Sequence, residues 1–420
     1  MSPFSPESWP FPAALLPEDA HLVGGSVRDY LLQRQSSYLD LDFILPNRAL
    51  EVAAEIATAC NAGFVVLDKA RQIARVVFEG VTVDFAQQQG DSLTADLHRR
   101  DFTINAIAYH PHSQTIVDPL KGQADLATKT LRMVSKQNLE EDPLRLMRAY
   151  RQAAQLGFAL DPQTQRAIHQ LAPLLQSMSI ERIRSELDAL LSIPAGTAQL
   201  DAILEHQLLS FCLPHFNAQS VRQVAQIDAA LERLKQEMPD YAKRLHQWQK
   251  PVPVGSHRSW IKAAKLSQLI ALDAAVAQAE LLALSYSRAE TQAVTTILKV
   301  QPTIELMKTQ DLNRSQQFFL FKQTGERFFA VSLLALAKGV VLNAIQPMIV
   351  RFLDTEDVIA HPPTLLTGNE IMQQLAIKPS RQLGQLLKAV EQAQAEGLIR
   401  DKEAAIAWLE LHGRAMLPHI

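Results

Sequence analysis

The sequence predicts an α+β fold, a small mixed β-sheet domain followed by an all-helical remainder, and three observations lead there. Between residues 20 and 118, short β-branched runs alternate with short helical patterns. After Asp118 the strand signal fades, and Leu, Ala and Gln recur at helical spacing. At 420 residues, 47% of them apolar, the chain exceeds one comfortable core and predicts two to four domains.

Taken in order, AHLVGG reads as a strand ending in paired glycines, VRDYLLQ as a helix, LDLDFIL as a strand and RALEVAAEIATA as a helix. GFVVLD, ARVVFEG and VTVDFA are further extended runs, divided by Asp, Gly and Lys. PLRLMRAYRQAAQLGF, DPQTQRAIHQLAPLLQS, SIERIRSELDALLS and AQLDAILEHQLLSF carry helical periodicity. Joints are expected at Pro194-Ala-Gly, at Gln249–His257 and at His361-Pro-Pro, where Pro and Gly interrupt the pattern. The expected domains are 1–130, 131–195, 196–355 and 356–420.

The N-terminus MSPFSPESWPFP has neither a basic region with an apolar run nor a cleavage site, and no run approaches about 18 apolar residues, so a cytoplasmic location is expected. Cys60 and Cys212 are too few and too separated for a zinc knuckle or a disulfide framework and read as core thiols. A formal charge of −3 argues against indiscriminate polyanion binding but permits a local basic groove.

Chemistry is concentrated in the first third. Asp40 and Asp42 flank Leu41 on a predicted strand, so both carboxylates point to one face, roughly 6.5 to 7 Å apart along the backbone. Such a pair can hold divalent metal. Two magnesium ions about 3.5 to 4 Å apart would activate an attacking hydroxyl and neutralise leaving pyrophosphate. Asp84 in VTVDFA is the candidate third acid, and a solvated strand edge is the alternative for the Asp40–Asp42 pair. Upstream, Gly24 and Gly25 let backbone amides approach phosphate, and Arg28 follows at a helix start; a triphosphate fits between this turn and the metals.

In this order GGSVRD, DLDF, LHRRDFTINA and EDPLRLMR resemble the motifs of the class II tRNA nucleotidyltransferase and bacterial poly(A) polymerase family, within the polymerase-beta-like superfamily. DPLKGQADLATKTLR resembles that family's hinge, with Lys121 where glycine is usual. ERIRSEL resembles its neck helix, and residues 365–409 resemble its tail. The resemblance implies a nucleotidyltransferase head followed by helical neck, body and tail. It also implies template-independent addition to the 3′ end of tRNA from CTP and ATP, with magnesium as cofactor.

Under that resemblance Asp142 and Arg145, three apart at a helix start, present an acceptor beside a donor fork, which suits the amino group and ring nitrogen of cytosine or adenine. Arg148 would add a donor to base or phosphate. Asp142 before Pro143 would equally serve as an N-cap. Asp101 and Asn105 are expected to bond ribose hydroxyls, with Asp101 as a helix cap the other reading, and Arg99 and Arg100 to reach the triphosphate. Glu181, Arg182, Arg184 and Glu186 read as bracing rather than substrate-binding. Between Tyr241 and Lys265 six Lys or Arg and no acid are interleaved with Trp248 and Trp260, giving a candidate tRNA strip with Lys243, Arg244 and Lys250.

Only QQQGDSLTAD separates VTVDFA from LHRRDFTINA. Members that add A or the whole CCA resemble one another in a longer mobile loop there, so its absence resembles the CC-adding subtype. The competing expectations are an A-adding enzyme or poly(A) polymerase, and a non-catalytic RNA-binding protein on the same scaffold.

Overall fold

The computed structural model describes residues 4–34, 39–248, 257–413 and 416. Two compact units result, Met1–Phe211 and Cys212–Ile420.

The first unit is built on β1 (His21–Val23), β2 (Leu39–Leu45), β3 (Gly63–Asp68), β4 (Ile73–Phe78), β5 (Val81–Gln87), β6 (Ala108–His110) and β7 (Thr115–Val117), joined in the order β3-β4-β5-β2-β1-β6-β7. Every pairing is antiparallel except β2 with β5. Parallel neighbours need a crossover. Here the chain leaves β2 through a helix and the β3–β4 hairpin before β5 returns alongside. The helices of this unit are α1 (Gly25–Leu31), α2 (Ala49–Ala59), which belongs to that crossover, α3 (Leu93–His98), α4 (Gly122–Ala127), α5 (Lys136–Glu141), α6 (Leu144–Leu156), α7 (Pro162–Leu171), α8 (Ile180–Ser192) and α9 (Leu200–Glu205).

Period-two alternation sorts the two faces of the sheet. Leu41, Phe43, Val83 and Phe85 are buried on one face, where the Phe43 and Phe85 rings lie 5.5 Å apart and Trp9 meets Phe43 edge-on at 5.2 Å. Asp40, Asp42 and Ile44 occupy the other face, in register with Thr82, Asp84 and Ala86. Burying each of these aromatics contributes about 1.5–3 kcal/mol, so a one-residue slip, which would turn them to the aspartate face, is strongly disfavoured.

Three departures from the sequence reading have physical causes. Residues around Asp101 form no α-helix: Phe102 is extended and bridges Met133, the Thr103 N–H donates to the Arg132 carbonyl, and a 3-10 turn spans Thr103–Asn105. The Pro194 joint does not end the first unit, because the 3-10 turn Pro194–Gln199 packs on α6 and α8 and the chain continues to Phe211. The β6–β7 hairpin went unread, since HPHSQ hides it among polar residues. Lys121 adopts φ 57°, ψ 35°, the left-handed region that explains the usual glycine, while Gly122 has no room for a side chain because a Cβ would lie 2.3 Å from the Thr103 carbonyl oxygen.

The second unit is helical: α10 (Ala218–Glu237), α11 (Pro239–Leu245), α12 (Trp260–Leu266), α13 (Ala274–Ala283), α14 (Arg288–Lys299), α15 (Gln301–Met307), α16 (Arg314–Thr324), α17 (Phe328–Ala337), α18 (Leu342–Leu353), α19 (Gly368–Leu375), α20 (Arg381–Glu396) and α21 (Lys402–His412). One core spans α10 to α18, and a second, from Leu365 to Leu409, belongs to the last three helices.

The candidate RNA strip is largely dismantled by this packing. Trp260 is buried and stacks on Trp248 at 4.6 Å, so these rings fill the core rather than offer a platform. Lys262 and Lys265 are buried too, paired with Glu290 at 2.8 Å and Asp228 at 2.6 Å, and Arg258 faces Glu290 at 3.4 Å. Their aliphatic stems belong to the apolar face of α12, and the carboxylates neutralise the heads. Lys243 and Arg244 remain exposed on α11, with Lys243 paired to Asp240; Lys250 lies outside the described residues. Among the described residues no helix is long and apolar enough to cross a membrane.

Candidate active site

β2 and β5 bring the three aspartates onto one face, Asp42 opposite Asp84. The Thr82 hydroxyl donates to Asp40 Oδ1 at 2.7 Å. Asp84 is held by Arg75 on β4, which donates Nε to its Oδ1 at 2.7 Å and Nη2 to its Oδ2 at 2.8 Å. Each oxygen thus accepts one hydrogen bond and keeps a further lone pair, and among the described residues no group of three or more acids, histidines or cysteines is disposed to hold a metal. Burial, then the neighbouring Asp40 and Asp84, push Asp42 up to about 6, against the opposing pull of Arg100 and Arg75. Arg75 was missed because its partner lies across a strand pairing, which sequence spacing does not reveal.

Gly24 sits at φ 77°, ψ −141°, and a Cβ there would stand 3.2 Å from Asp42 Oδ2. The glycine lets the turn before α1 close onto the aspartate. Arg28, in the first turns of α1, is buried. It bonds both Asp29 oxygens at 2.9 and 3.0 Å and donates Nη1 to Asn105 Oδ1 at 2.8 Å, so it is no loose surface pair. Asn105 donates to Asp101 Oδ1 at 3.0 Å and to Gln152 Oε1 at 2.9 Å. Its two amide hydrogens are thus consumed inside the protein, and direct donation to ribose is not available to it. Asp101 Oδ2 faces Arg148 at 3.2 Å.

Beside this cluster opens a polar cleft of about 530 Å³, lined by Ile44, Arg71, Gln89, Asp96, Arg99, Arg100, Glu141, Asp142, Arg145 and Arg182 among others. That volume suits a small ligand. Arg100 Nε is buried without a hydrogen-bond partner, a donor available to an anion. Asp142 closes α5 rather than capping α6: its oxygens face Arg182 Nη2 of α8, both at 3.3 Å, and no side-chain cap is formed at Pro143. Arg182 therefore braces Asp142 directly, across from α8 to the end of α5. Glu186 braces too, by accepting from Arg151 Nε on α6 at 2.5 Å. Arg145 Nη1 donates to the Asn138 carbonyl, and the Asn138 amide spans the His98 and Arg100 carbonyls, both at 2.7 Å. Asn138 thus ties α5 to the end of α3 and the arginines that follow it.

The segment from Gln88 to Ser92 between β5 and α3 is short and tied down. The Gln89 N–H donates to Asp96 Oδ1 at 2.9 Å, Gln88 reaches the Gly90 carbonyl at 3.2 Å, and Ser92 caps α3.

Family models match in chain order: the Poly A polymerase head domain over residues 20–132, the probable RNA and SrmB-binding site of polymerase A over 157–220, and the putative tRNA nucleotidyltransferase domain 2 over 257–409. A CC-adding tRNA nucleotidyltransferase of Synechocystis sp. is 41% identical over 408 residues, covering 97% of this chain and 96% of its own. The chain belongs to the class II tRNA nucleotidyltransferase family. Other relatives of this family include an A-adding tRNA nucleotidyltransferase of Deinococcus radiodurans, 30% identical over 95% of this chain and 96% of its own. A CCA-adding enzyme of Streptococcus sanguinis is also 30% identical, over 93% of each chain. The crystal structure of the Bacillus stearothermophilus CCA-adding enzyme in complex with CTP superposes with a TM-score of 0.72, at 25% identity, over 94% of this chain and 93% of that one. Class II nucleotidyltransferases use divalent metal, and the present residues fit one: two carboxylates on one sheet face, oxygen donors as such ions require, with negative charge that the surrounding arginines leave uncompensated at Asp42.

Proposed function

We propose that this tRNA nucleotidyltransferase adds two cytidines to the 3′ end of tRNA from CTP, releasing pyrophosphate, and leaves the terminal adenosine to another enzyme. The short, internally bonded segment between β5 and α3 carries this reading. A cleft wall of five residues fixed to Asp96 has no lever with which to reshape the base pocket for ATP. The Synechocystis relative, a CC-adding enzyme, points the same way.

Asp40 and Asp42 would hold two magnesium ions, which when bound activate the primer hydroxyl and neutralise the leaving pyrophosphate. Arg75 keeps Asp84 from adding a third free negative charge beside them. Arg28, Arg99 and Arg100, with the amides after Gly24 and Gly25, hold the triphosphate; Arg100 offers its unpartnered Nε. Asp101 accepts from the ribose, while Arg148 shares its outer oxygen. Asp142 accepts the cytosine amino group and Arg145 donates to the ring nitrogen, with Arg182 fixing the Asp142 carboxylate. Uracil would set a carbonyl against Asp142 and is rejected. Lys243 and Arg244 are retained as tRNA phosphate contacts.

The test is product length on a sequencing gel, using a tRNA without its CCA end, magnesium, and CTP, ATP or both. Growth by two cytidines that stops there with ATP present supports the proposal. Extension to CCA or addition of adenosine alone overturns the subtype, and no extension favours an RNA-binding scaffold.

A further inference from the structure

The Asn105 amide has no hydrogen left for a substrate. Its oxygen accepts from Arg28, and its two hydrogens go to Asp101 and Gln152. The orientation of the amide is fixed by chemistry, since only the oxygen can face a guanidinium and only the nitrogen a carboxylate. Asn105 therefore acts as a spacer that sets Arg28 and Asp101 relative to one another.

Gln152 is the fourth member of this cluster and lies on α6. It is buried, at 3% exposure, with Asn105 at 7%, Arg28 at 7% and Asp101 at 8%. On α6 it continues the stripe of Arg145 and Arg148, three and then four residues apart, so these side chains share a face. Asp101 receives Arg148 on Oδ2, and on Oδ1 it receives Asn105 and the Phe102 N–H at 2.8 Å. The base-reading helix thus grips the sugar-reading residues twice, by Arg148 from the solvent side and by Gln152 from inside.

We propose that Gln152 is a positioning residue for sugar selection, whose Oε1 fixes the plane of the Asn105 amide and through it the separation of Asp101 from Arg28. This inference rests on the nucleotidyl-transfer reading of the site. Without the oxygen at position 152, one hydrogen of the Asn105 amide loses its partner and the amide can rotate. Asp101 then no longer holds its oxygen where a 2′-hydroxyl would donate, whereas the triphosphate arginines and the Asp142–Arg182 pair keep their own supports.

The measurement is the ratio of kcat/KM for CTP to that for dCTP, taken beside the CTP to UTP ratio and thermal unfolding, on full-length protein with a CCA-less tRNA. Gln152→Leu is expected to lower the CTP/dCTP ratio about tenfold, the equivalent of one hydrogen bond, with the CTP/UTP ratio moved by less than about twofold. Gln152→Met, of similar length and also without an oxygen, carries the same test should the leucine variant fail to fold. Gln152→Glu retains the acceptor and should keep the ratio near the parent value. An unchanged CTP/dCTP ratio in the leucine or methionine variant overturns the inference, as does an equal loss in all three variants or a parallel fall of both ratios. If the parent enzyme incorporates neither nucleotide, the nucleotidyl-transfer reading itself has failed, an outcome separate from any variant's ratio.

Discussion

Replacing Gly24 with alanine would strike the nucleotide site at the position where backbone and substrate geometry meet. At φ 77°, ψ −141° a side chain is strained by about 1–3 kcal/mol. Its Cβ would stand 3.2 Å from Asp42 Oδ2 and 3.6 Å from Arg100 Nη1, so the aspartate must retreat by a few tenths of an ångström. A misplacement of 1 Å costs about a hundredfold in rate, and a shift of a third of that implies a loss of roughly fivefold in kcat. For a unit of this size the strain lowers Tm by about 2–4 °C per kcal/mol. Gly25→Ala is the control: it lies within α1 and its Cβ meets only Arg28, at an ordinary 3.5 Å. Single-turnover CMP incorporation and calorimetry on both variants decide the matter. If Gly24→Ala matches the parent in rate and Tm, or if Gly25→Ala is equally impaired, the argument from the turn is wrong.

Further expectations concern the acids and their partners. Asp40→Asn and Asp42→Asn should each reduce CMP incorporation by about a thousandfold or more while leaving tRNA affinity in a filter-binding assay unaltered; activity in either would remove the pair from the chemistry. Arg182→Ala frees Asp142 and should cut the CTP/UTP ratio about threefold to tenfold with little change in Tm, since the pair is half exposed and contributes about 0–1 kcal/mol to folding. Glu290→Gln leaves Lys262 buried without its charge partner and should destabilise the second unit by about 3–5 kcal/mol in denaturant unfolding. Burial pushes Glu290 up, but Lys262, Ser287 and Arg258 outweigh it and hold the carboxyl below the usual range. Its stabilising contribution is therefore complete above the ordinary carboxylate pKa and is lost as pH falls through the depressed folded value. Parent stability should decline over that acidic window more steeply than that of Glu290→Gln.

The strands and helices that position the site were legible wherever one face is buried, because alternation of Leu41 and Phe43 with Asp40 and Asp42 has one economical reading. Order along the chain also exposed the Gly24 turn, the Arg28 helix and the Asp142–Arg145 pair. What resisted was pairing at a distance. Nothing near Asp84 announces Arg75, nothing near Asp142 announces Arg182, and Gln152 looks like any polar residue on a helix until Asn105 is placed against it. The part of the basic strip on α12 was misread for a related reason: WIKAAKL puts lysines among apolar residues, and only burial against Glu290 and Asp228 distinguishes core from surface.

The one parallel pairing of the seven-stranded sheet, β2 with β5, has a consequence for how the protein is made. Asp42 and Asp84 meet only when β5 has emerged and slotted beside β2, after α2 and the β3–β4 hairpin have already been synthesised. The hairpin can form early from local contacts, and β2 can pair with β1, but the edge of β2 that β5 covers stays open until the crossover closes. Closure of that one strand pair is thus the moment at which the two sides of the sheet join and Asp42 acquires Asp84 as its neighbour. A nascent or nicked head with β5 undocked would be sticky and inactive together, giving cellular quality control a single defect to recognise.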